Sequence, residues 1–103
     1  MTDDPMARVV DAPLFIVPRV LDALRAYREG AAPPLPGLDA LTERLLAGVA
    51  AHPTKWWVLR QFQKTLDAVA DDSLRVLLAV ELERLMDILG IASSDGILGI
   101  DRR

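Results

Sequence analysis

Prolines, glycines and one polar run divide this chain into four apolar segments, and that division most constrains its fold. The main interruptions are Pro18, the run "GAAPPLPG" at residues 30–37, Pro53, the run "ADDS" at residues 70–73 and Gly90. Between them, apolar residues recur at three- and four-residue spacing, which is the period of an amphipathic helix. A length of 103 residues suits one domain. We therefore predict an all-α fold, with an irregular N-terminus at 1–12 and a single domain at 13–103.

The same residues predict where each helix begins and ends. Proline is favoured in a first helical turn, glycine is favoured just after a last turn, and the residue before proline avoids helical geometry. These rules predict a bundle of four main helices followed by a short C-terminal turn capped by Ser93 or Ser94. The segment "LFIV" at 14–17 either extends the first helix or forms an extended arm. The first predicted helix starts at Pro18 and ends at Gly30, and the second runs from Leu38 to Ala51. The third runs from the N-cap Thr54 to about Ala70, and the fourth from an N-cap at Asp72 or Ser73 to Gly90.

The third helix contains both tryptophans, side by side at positions 56 and 57. At about 100° per residue, Trp56 lies at the boundary of the apolar stripe and Trp57 about 170° from its centre. Trp57 therefore falls on the outer, polar face of the predicted helix, apart from the core. The core stripe of this helix is predicted to consist of Val58, Leu59, Phe62, Leu66 and Val69, and the polar neighbours of Trp57 are Arg60, Gln61 and Lys64.

Three interpretations of Trp57 are open. In the first, the N-terminal arm or the proline-rich linker covers Trp57, and its indole N–H is bonded to a carbonyl. Alternatively, it anchors a partner protein, because a tryptophan beside cationic side chains is typical of interface hot spots. It could also be simply exposed or packed in a homodimer. The second interpretation predicts a partner-binding set of Trp57, Arg60, Gln61 and Lys64.

The fourth helix has an apolar arc wide enough to predict a central position in the bundle. Val76 and Val80 lie outside that arc and could form a homodimer interface. Glu81 lies inside it and needs a partner, for which Arg84, Arg25 and Arg44 are candidates. The acidic outer face of the helix would steer basic partners. The arc comprises Leu74, Leu77, Leu78, Leu82, Leu85, Ile88 and Leu89, and the acidic face comprises Asp71, Asp72, Glu83 and Asp87.

No residue pattern indicates catalysis. His52 is the only histidine, cysteine is absent, and no serine lies in a nucleophile-elbow context. No spacing of histidine and carboxylate residues resembles a metal site, so we predict neither a metal nor a cofactor. We expect a protein that is not an enzyme. The missing cysteines and the lack of a long apolar run are typical of a cytoplasmic protein without a membrane segment.

A helix-turn-helix is the alternative interpretation of the second and third helices. The turn "AAHPTK" would join them, and Lys55, Arg60, Gln61 and Lys64 would lie on the outer face of a recognition helix at 54–70. The formal net charge of −3 disfavours a nucleic-acid partner. Trp57 would also occupy a position where side chains that read bases should lie.

The runs "HPTKWWVLRQF" and "LERLMDILGIASSDGILGI" resemble those of small uncharacterised bacterial helical proteins, grouped as domains of unknown function. Several families of such small acidic proteins are immunity proteins, which cover the active site of an antibacterial toxin. The resemblance implies an all-helical domain that binds a protein and performs no chemistry. The predicted function is therefore a small protein-binding module, with an immunity- or antitoxin-like inhibitor as its most concrete form.

Overall fold

The computed structural model describes residues 5–98, and it is an all-α bundle. The described residues contain no β-strand, and their only strand-like pairing is an isolated bridge between Pro13 and Thr54. No described helix is long and apolar enough to cross a bilayer. A 3-10 turn at Pro5–Arg8 precedes the four main helices, which are α1 (Pro18–Ala26), α2 (Leu38–Gly48), α3 (Lys55–Asp67) and α4 (Asp72–Leu89).

The residues predicted to start or stop a helix do so at most of the helix ends. Pro18 occupies the first turn of α1, and Thr54 caps α3 by accepting the N–H of Trp57. Gly90 follows α4 as predicted and adopts a left-handed φ of 80°, and the N–H of Ile91 donates to the carbonyl of Met86 at 2.9 Å, which is a Schellman ending. The cap of α4 is Asp71, one residue before the predicted position, because its carboxylate accepts the N–H of Leu74.

Three helix ends differ from prediction. The chain does not leave the helical path at Gly30, because α1 continues into a π-helical turn at Tyr27–Ala31 that the N–H of Ala32 closes onto the carbonyl of Tyr27. The second helix ends at Gly48, before the predicted Ala51, because the N–H groups of Ala51 and His52 both donate to the carbonyl of Gly48 in a tight turn. The third helix ends at Asp67, ahead of the predicted Ala70.

The four helices enclose one core in a ring, in which α1 packs mainly on α2 and α4, and α3 mainly on α2 and α4. The wide apolar arc of α4 predicts a central helix, and this prediction is wrong, because α4 is a ring member with one face in solvent. Leu77, predicted in the core, is 53% exposed. The fully buried side chains come from all four helices: Leu24, Leu38, Leu41, Thr42, Leu45, Val49, Val58, Leu59, Phe62, Leu78, Leu82 and Leu85.

Both ends of the described chain pack on this core. Residues 9–17 form an extended arm, which decides between the two predicted conformations of "LFIV". Met6 is buried, although the sequence places it in an irregular N-terminal segment. Beyond α4, the predicted turn forms at residues 95–98, where Ser93 Oγ accepts the N–H of Asp95 at 3.1 Å. Residues 1–4 and 99–103 of the predicted segments lie outside the described residues.

Candidate functional site

The N-terminal arm satisfies the first N–H groups of α3. The N–H of Lys55 donates to the carbonyl of Ala12 at 2.8 Å, and the N–H of Trp56 donates to Asp11 Oδ1 at 2.8 Å. Thr54 Oγ1 then accepts the N–H of Trp57 at 3.2 Å. A helix N-terminus leaves such donors unpaired unless side chains or other segments reach them. The start of α3 is thus closed by the protein's own chain.

An ion pair ties the same point to the C-terminal turn. Lys55 Nζ lies 2.8 Å from Asp95 Oδ2, and both side chains are mostly buried. That carboxylate oxygen also accepts the N–H of Val10 at 2.8 Å. The bond from the Lys55 ammonium, followed by the bond from Val10, lowers the pKa of Asp95. We call the region formed by Asp11, Thr54, Lys55, Trp57 and Asp95 the α3 junction.

Trp57 packs into the α3 junction rather than facing solvent. A Cβ placed on Gly48 would lie 2.6 Å from Trp57 Cζ2, so the indole ring rests on the bare backbone of α2. His52 stacks on Trp57, with ring centroids 5.4 Å apart. The side chains of a helix lean toward its N-terminal end, and the N-terminal end of α3 is joined by a short loop to the end of α2. The outward position predicted for Trp57 is therefore wrong, and the end of α2 and His52 contribute to its cover.

The other members of the predicted partner-binding set separate in space. Gln61 is 6% exposed, so its predicted place on the outer face is wrong. Its side chain accepts a bond from Arg44 Nε at 3.2 Å. Arg60 is exposed and its guanidinium carbon lies 5.5 Å from the ring centroid of Trp56, which is 38% exposed. Lys64 is exposed beside a groove between α2 and α3.

The exposed face of α4 carries three adjacent apolar side chains. Val76, Leu77 and Val80 are 57%, 53% and 43% exposed. Val80 follows Val76 by four residues and Leu77 by three, and residues at these spacings are neighbours on a helix surface, so the three form one patch. Further along the same face lie three exposed charged residues. We call this surface the α4 face; it consists of Val76, Leu77, Val80, Glu83, Arg84 and Asp87.

Glu81 lies at the border between the α4 face and the core. Its carboxylate accepts the hydroxyl of Tyr27 at 2.8 Å, and its second oxygen lies 3.6 Å from Arg84 Nε. Of the three predicted partners, Arg84 is therefore the one used, while Arg25 pairs with Asp22. Burial, and then the bond to Glu81, raise the pKa of Tyr27. Both carboxylate oxygens of Glu81 therefore have a partner, which is what a structural role for this residue requires.

A groove of about 320 Å³ opens between the N-terminal end of α2 and the C-terminal end of α3. Arg44 and Lys64 are its two cations. The sequence offers Arg44 only as a candidate partner for Glu81, and no signal in the sequence predicts the groove, because its two walls belong to different helices. We call it the Arg44 groove; its lining is Pro36, Gly37, Ala40, Arg44, Lys64, Thr65, Ala68 and Val69.

Two other functions receive no support from this geometry. Within residues 5–98, no group of three or more histidine, aspartate or glutamate side chains is placed to hold a metal ion. For a helix-turn-helix, the first turn of α3 would approach the DNA bases. That turn instead carries the carboxylate of Asp11, which would repel phosphate, and Gln61 is buried.

Comparisons with family models, with curated proteins and with solved structures found no match to this chain. The resemblance to small bacterial helical proteins therefore stays a prediction. The function has to be argued from the α4 face, the α3 junction and the Arg44 groove themselves.

Proposed function

We propose that this chain is a protein-binding module of the cytoplasm that docks a basic, amphipathic helix of its partner on the α4 face. The observation that supports this proposal most is the patch of Val76, Leu77 and Val80, each about half exposed on one helix. Large apolar side chains that are scattered singly need no explanation, whereas a contiguous patch is typical of an interaction site. Helix-in-groove and helix-on-helix docking use apolar anchors at this spacing.

The charges around the patch select the partner. Glu83 and Asp87 are exposed one and two turns beyond Val80, and Asp72 is exposed one turn before Val76. Arg84 is the one exposed cation in this stretch, and the carboxylate of Glu81 lies 3.6 Å from it. The surroundings of the patch are thus acidic. Electrostatic complementarity favours a partner with Lys or Arg beside its apolar anchors.

The same charges disfavour a second copy of this chain as the occupant. A symmetric pair brings the same patch of both copies together. Two acidic surroundings would then face each other, and like charges across an interface cost free energy. The homodimer through Val76 and Val80 is therefore the weaker form of the proposal, and solution mass tests it directly.

An immunity- or antitoxin-like inhibitor is the most specific form of this proposal. Such an inhibitor would cover a basic surface of a toxin with its acidic face and needs no catalytic group of its own. The anchor predicted on α3 takes a lesser part here, because Trp57 is engaged by Gly48 and His52. Trp56 and Arg60 remain exposed on α3.

The proposal is tested by site-specific crosslinking followed by direct binding. A photo-crosslinking residue is placed at Leu77 in cells of the source organism, and the same residue at Ala47, an exposed position on α2, is the control. We expect one protein to crosslink from position 77 only, through a segment that is basic and amphipathic. A crosslink to a second copy of this chain, or the same products from both positions, would contradict the proposal.

The purified partner then allows a quantitative test. Leu77→Gln should weaken binding by about tenfold, which corresponds to about 1.4 kcal/mol. Val76→Thr removes apolar character with little change in shape, and Val10→Thr, at a position 70% exposed on the arm, is its matched control. Asp87→Asn should weaken binding and reduce its salt dependence. If the partner is a toxin, Leu77→Gln should also lower inhibition of its activity in proportion.

A further inference from the structure

The Arg44 groove contains a guanidinium whose charge is not neutralised. Arg44 Nε donates to Gln61 Oε1 at 3.2 Å, and Nη2 donates to Thr65 Oγ1 at 3.0 Å and to the Gln61 carbonyl at 3.4 Å. All three acceptors are neutral. Within the part of the chain that the structure describes, no carboxylate lies within 4.0 Å of Arg44. Arg25, Arg28 and Arg84 each lie within that distance of a carboxylate, whereas, among the described residues, Arg19, Arg60 and Arg75, like Arg44, do not.

These bonds fix the orientation of Arg44 without using all of its donors. Nη1 donates to no described group. Since no buried side-chain nitrogen or oxygen among the described residues lacks a partner, Nη1 is not buried. The guanidinium is therefore held from one side by Gln61 and Thr65 and presents Nη1 to solvent. A half-buried cation that is oriented before a ligand arrives loses little side-chain entropy when it binds an anion.

A second cation lines the same groove. Lys64 is exposed there and forms no ion pair with any residue between 5 and 98. Two cations at one groove repel each other, and an anion between them removes this repulsion. Two carbonyl groups near this end of α3, which would repel an anion, are already engaged, because Arg75 Nη1 donates to the Leu66 carbonyl at 2.9 Å and to the Val69 carbonyl at 3.3 Å.

Half of the residues that line the groove have apolar side chains. Pro36, Ala40, Ala68 and Val69 line it, and its volume of about 320 Å³ lies at the lower end of the range for small-molecule pockets. An inorganic anion would leave these walls uncovered. A molecule with one anionic head and a short hydrocarbon tail matches both the two cations and the apolar lining.

We propose that the Arg44 groove binds a small organic carboxylate with a short apolar chain, through Arg44 and Lys64. The carboxylate accepts from Arg44 Nη1 and the Lys64 ammonium, and the chain lies along Ala40 and Ala68. This site is separate from the α4 face, so it adds a ligand to the proposed function rather than restating it.

Titration of the isotope-labelled protein followed by NMR tests this site with defined probes. Hexanoate should produce saturable, one-to-one shifts in the amide signals of Ala40, Thr65 and Ala68, with a dissociation constant of about 1 mM or lower, which corresponds to about 4 kcal/mol. Hexanamide, the neutral analogue, should bind at least about tenfold more weakly, because it lacks the charge. Inorganic phosphate should also bind more weakly, because it lacks the chain.

Matched variants separate the groove from general charge effects. Lys64→Gln should weaken hexanoate binding several-fold, whereas Arg60→Gln, one turn earlier on the same helix but over Trp56, should leave it unchanged. Arg44→Gln should weaken it at least about tenfold. Because Arg44 also holds Gln61 and Thr65, Ala40→Met at an exposed position gives a second test, since it fills the groove and keeps both cations.

Four results would overturn the proposal: no saturable shift with hexanoate, equal binding of hexanamide, binding of phosphate as tight as that of hexanoate, or unchanged hexanoate binding in both Lys64→Gln and Ala40→Met. The last result does not depend on the stability of Arg44→Gln, because both of these positions are exposed.

Discussion

The α3 junction and the α4 face each carry a large apolar side chain that a helical wheel assigns to the wrong environment, and the two errors are opposite. At the α3 junction, Trp57 is covered by the end of α2 and by His52. On the α4 face, Leu77 belongs to the predicted core arc but is 53% exposed. The wheel gives the direction of a side chain, whereas burial depends on whether another element lies in that direction.

The difference also distinguishes apolar residues that stabilise the fold from apolar residues that are left open to solvent. The α3 junction is closed by bonds from the arm and the C-terminal turn, so its tryptophan contributes to stability. The α4 face has no such cover within the described residues, so its apolar side chains contribute little to folding. Substitutions should therefore separate the two regions by their effect on the free energy of unfolding.

The two adjacent tryptophans should differ most. Trp57→Ala should lower the free energy of unfolding by about 2–3 kcal/mol, because it removes a large ring packed on α2. Trp56→Ala, the matched control on the same turn, should lower it by less than about 1 kcal/mol, because Trp56 is 38% exposed and its ring lies against the exposed Arg60. Urea denaturation measures both. Equal losses would show that Trp57 is not held at the α3 junction as described.

Gly48 is the second test of the junction. Gly48→Ala should cost about 1–3 kcal/mol, because the new Cβ would meet Trp57 Cζ2 at 2.6 Å, although alanine is the better helix former. Gly30→Ala is the control, since a Cβ there meets nothing within 4 Å. Gly48→Ala should cost much less in a Trp57→Leu background. Additive losses in thermal or urea unfolding would contradict a direct clash.

The ion pair that closes the junction should give a smaller, pH-dependent effect. Because the pKa of Asp95 is lowered in the folded protein, its stabilising contribution is present above the usual carboxyl value of about 4 and is lost as the pH falls through the lowered value. Asp95→Asn suits the left-handed φ of 52° at this position. The melting temperatures of wild type and Asp95→Asn should differ at pH 7, and the difference should shrink as the pH falls below the usual carboxyl value of about 4. A constant difference across this range would argue against the ion pair.

The α4 face should show the smallest effect on folding. Leu77→Gln should change the free energy of unfolding by no more than about 0.5 kcal/mol, because half of this side chain is already in water. Leu78→Gln, at the neighbouring buried position, should destabilise the protein severely. If Leu77→Gln costs as much as Leu78→Gln in denaturation, then Leu77 belongs to the core and the α4 face is not an open surface.

Much of the fold was predictable because its signals are local. Pro18 at the start of α1, Thr54 at the start of α3 and Gly90 after α4 act through the backbone within one turn of themselves. The core stripe of α3 was equally predictable from the sequence, since Val58, Leu59 and Phe62 share one side of a single helix, and all three are buried. The cap of α4 was displaced by only one residue, to Asp71.

The candidate sites were less predictable because each depends on residues that are distant in sequence. Asp11 reaches the N–H of Trp56, 45 positions away, and Asp95 reaches the N–H of Val10, 85 positions away. The Arg44 groove needs α2 and α3 to lie side by side. None of these partners leaves a periodic pattern in the sequence.

The sequence by itself determined that this chain forms four short amphipathic helices, where most of them start and which residues form most of the core, because helix period and capping are properties of neighbouring residues. Only the tertiary structure decided that Trp57 is covered, that Gln61 is buried, that Leu77 is open and that Arg44 lacks a carboxylate. Those outcomes depend on how the helices and the two terminal segments are arranged around one another, and a bare glycine at the end of α2 is enough to turn an outward tryptophan into a packed one.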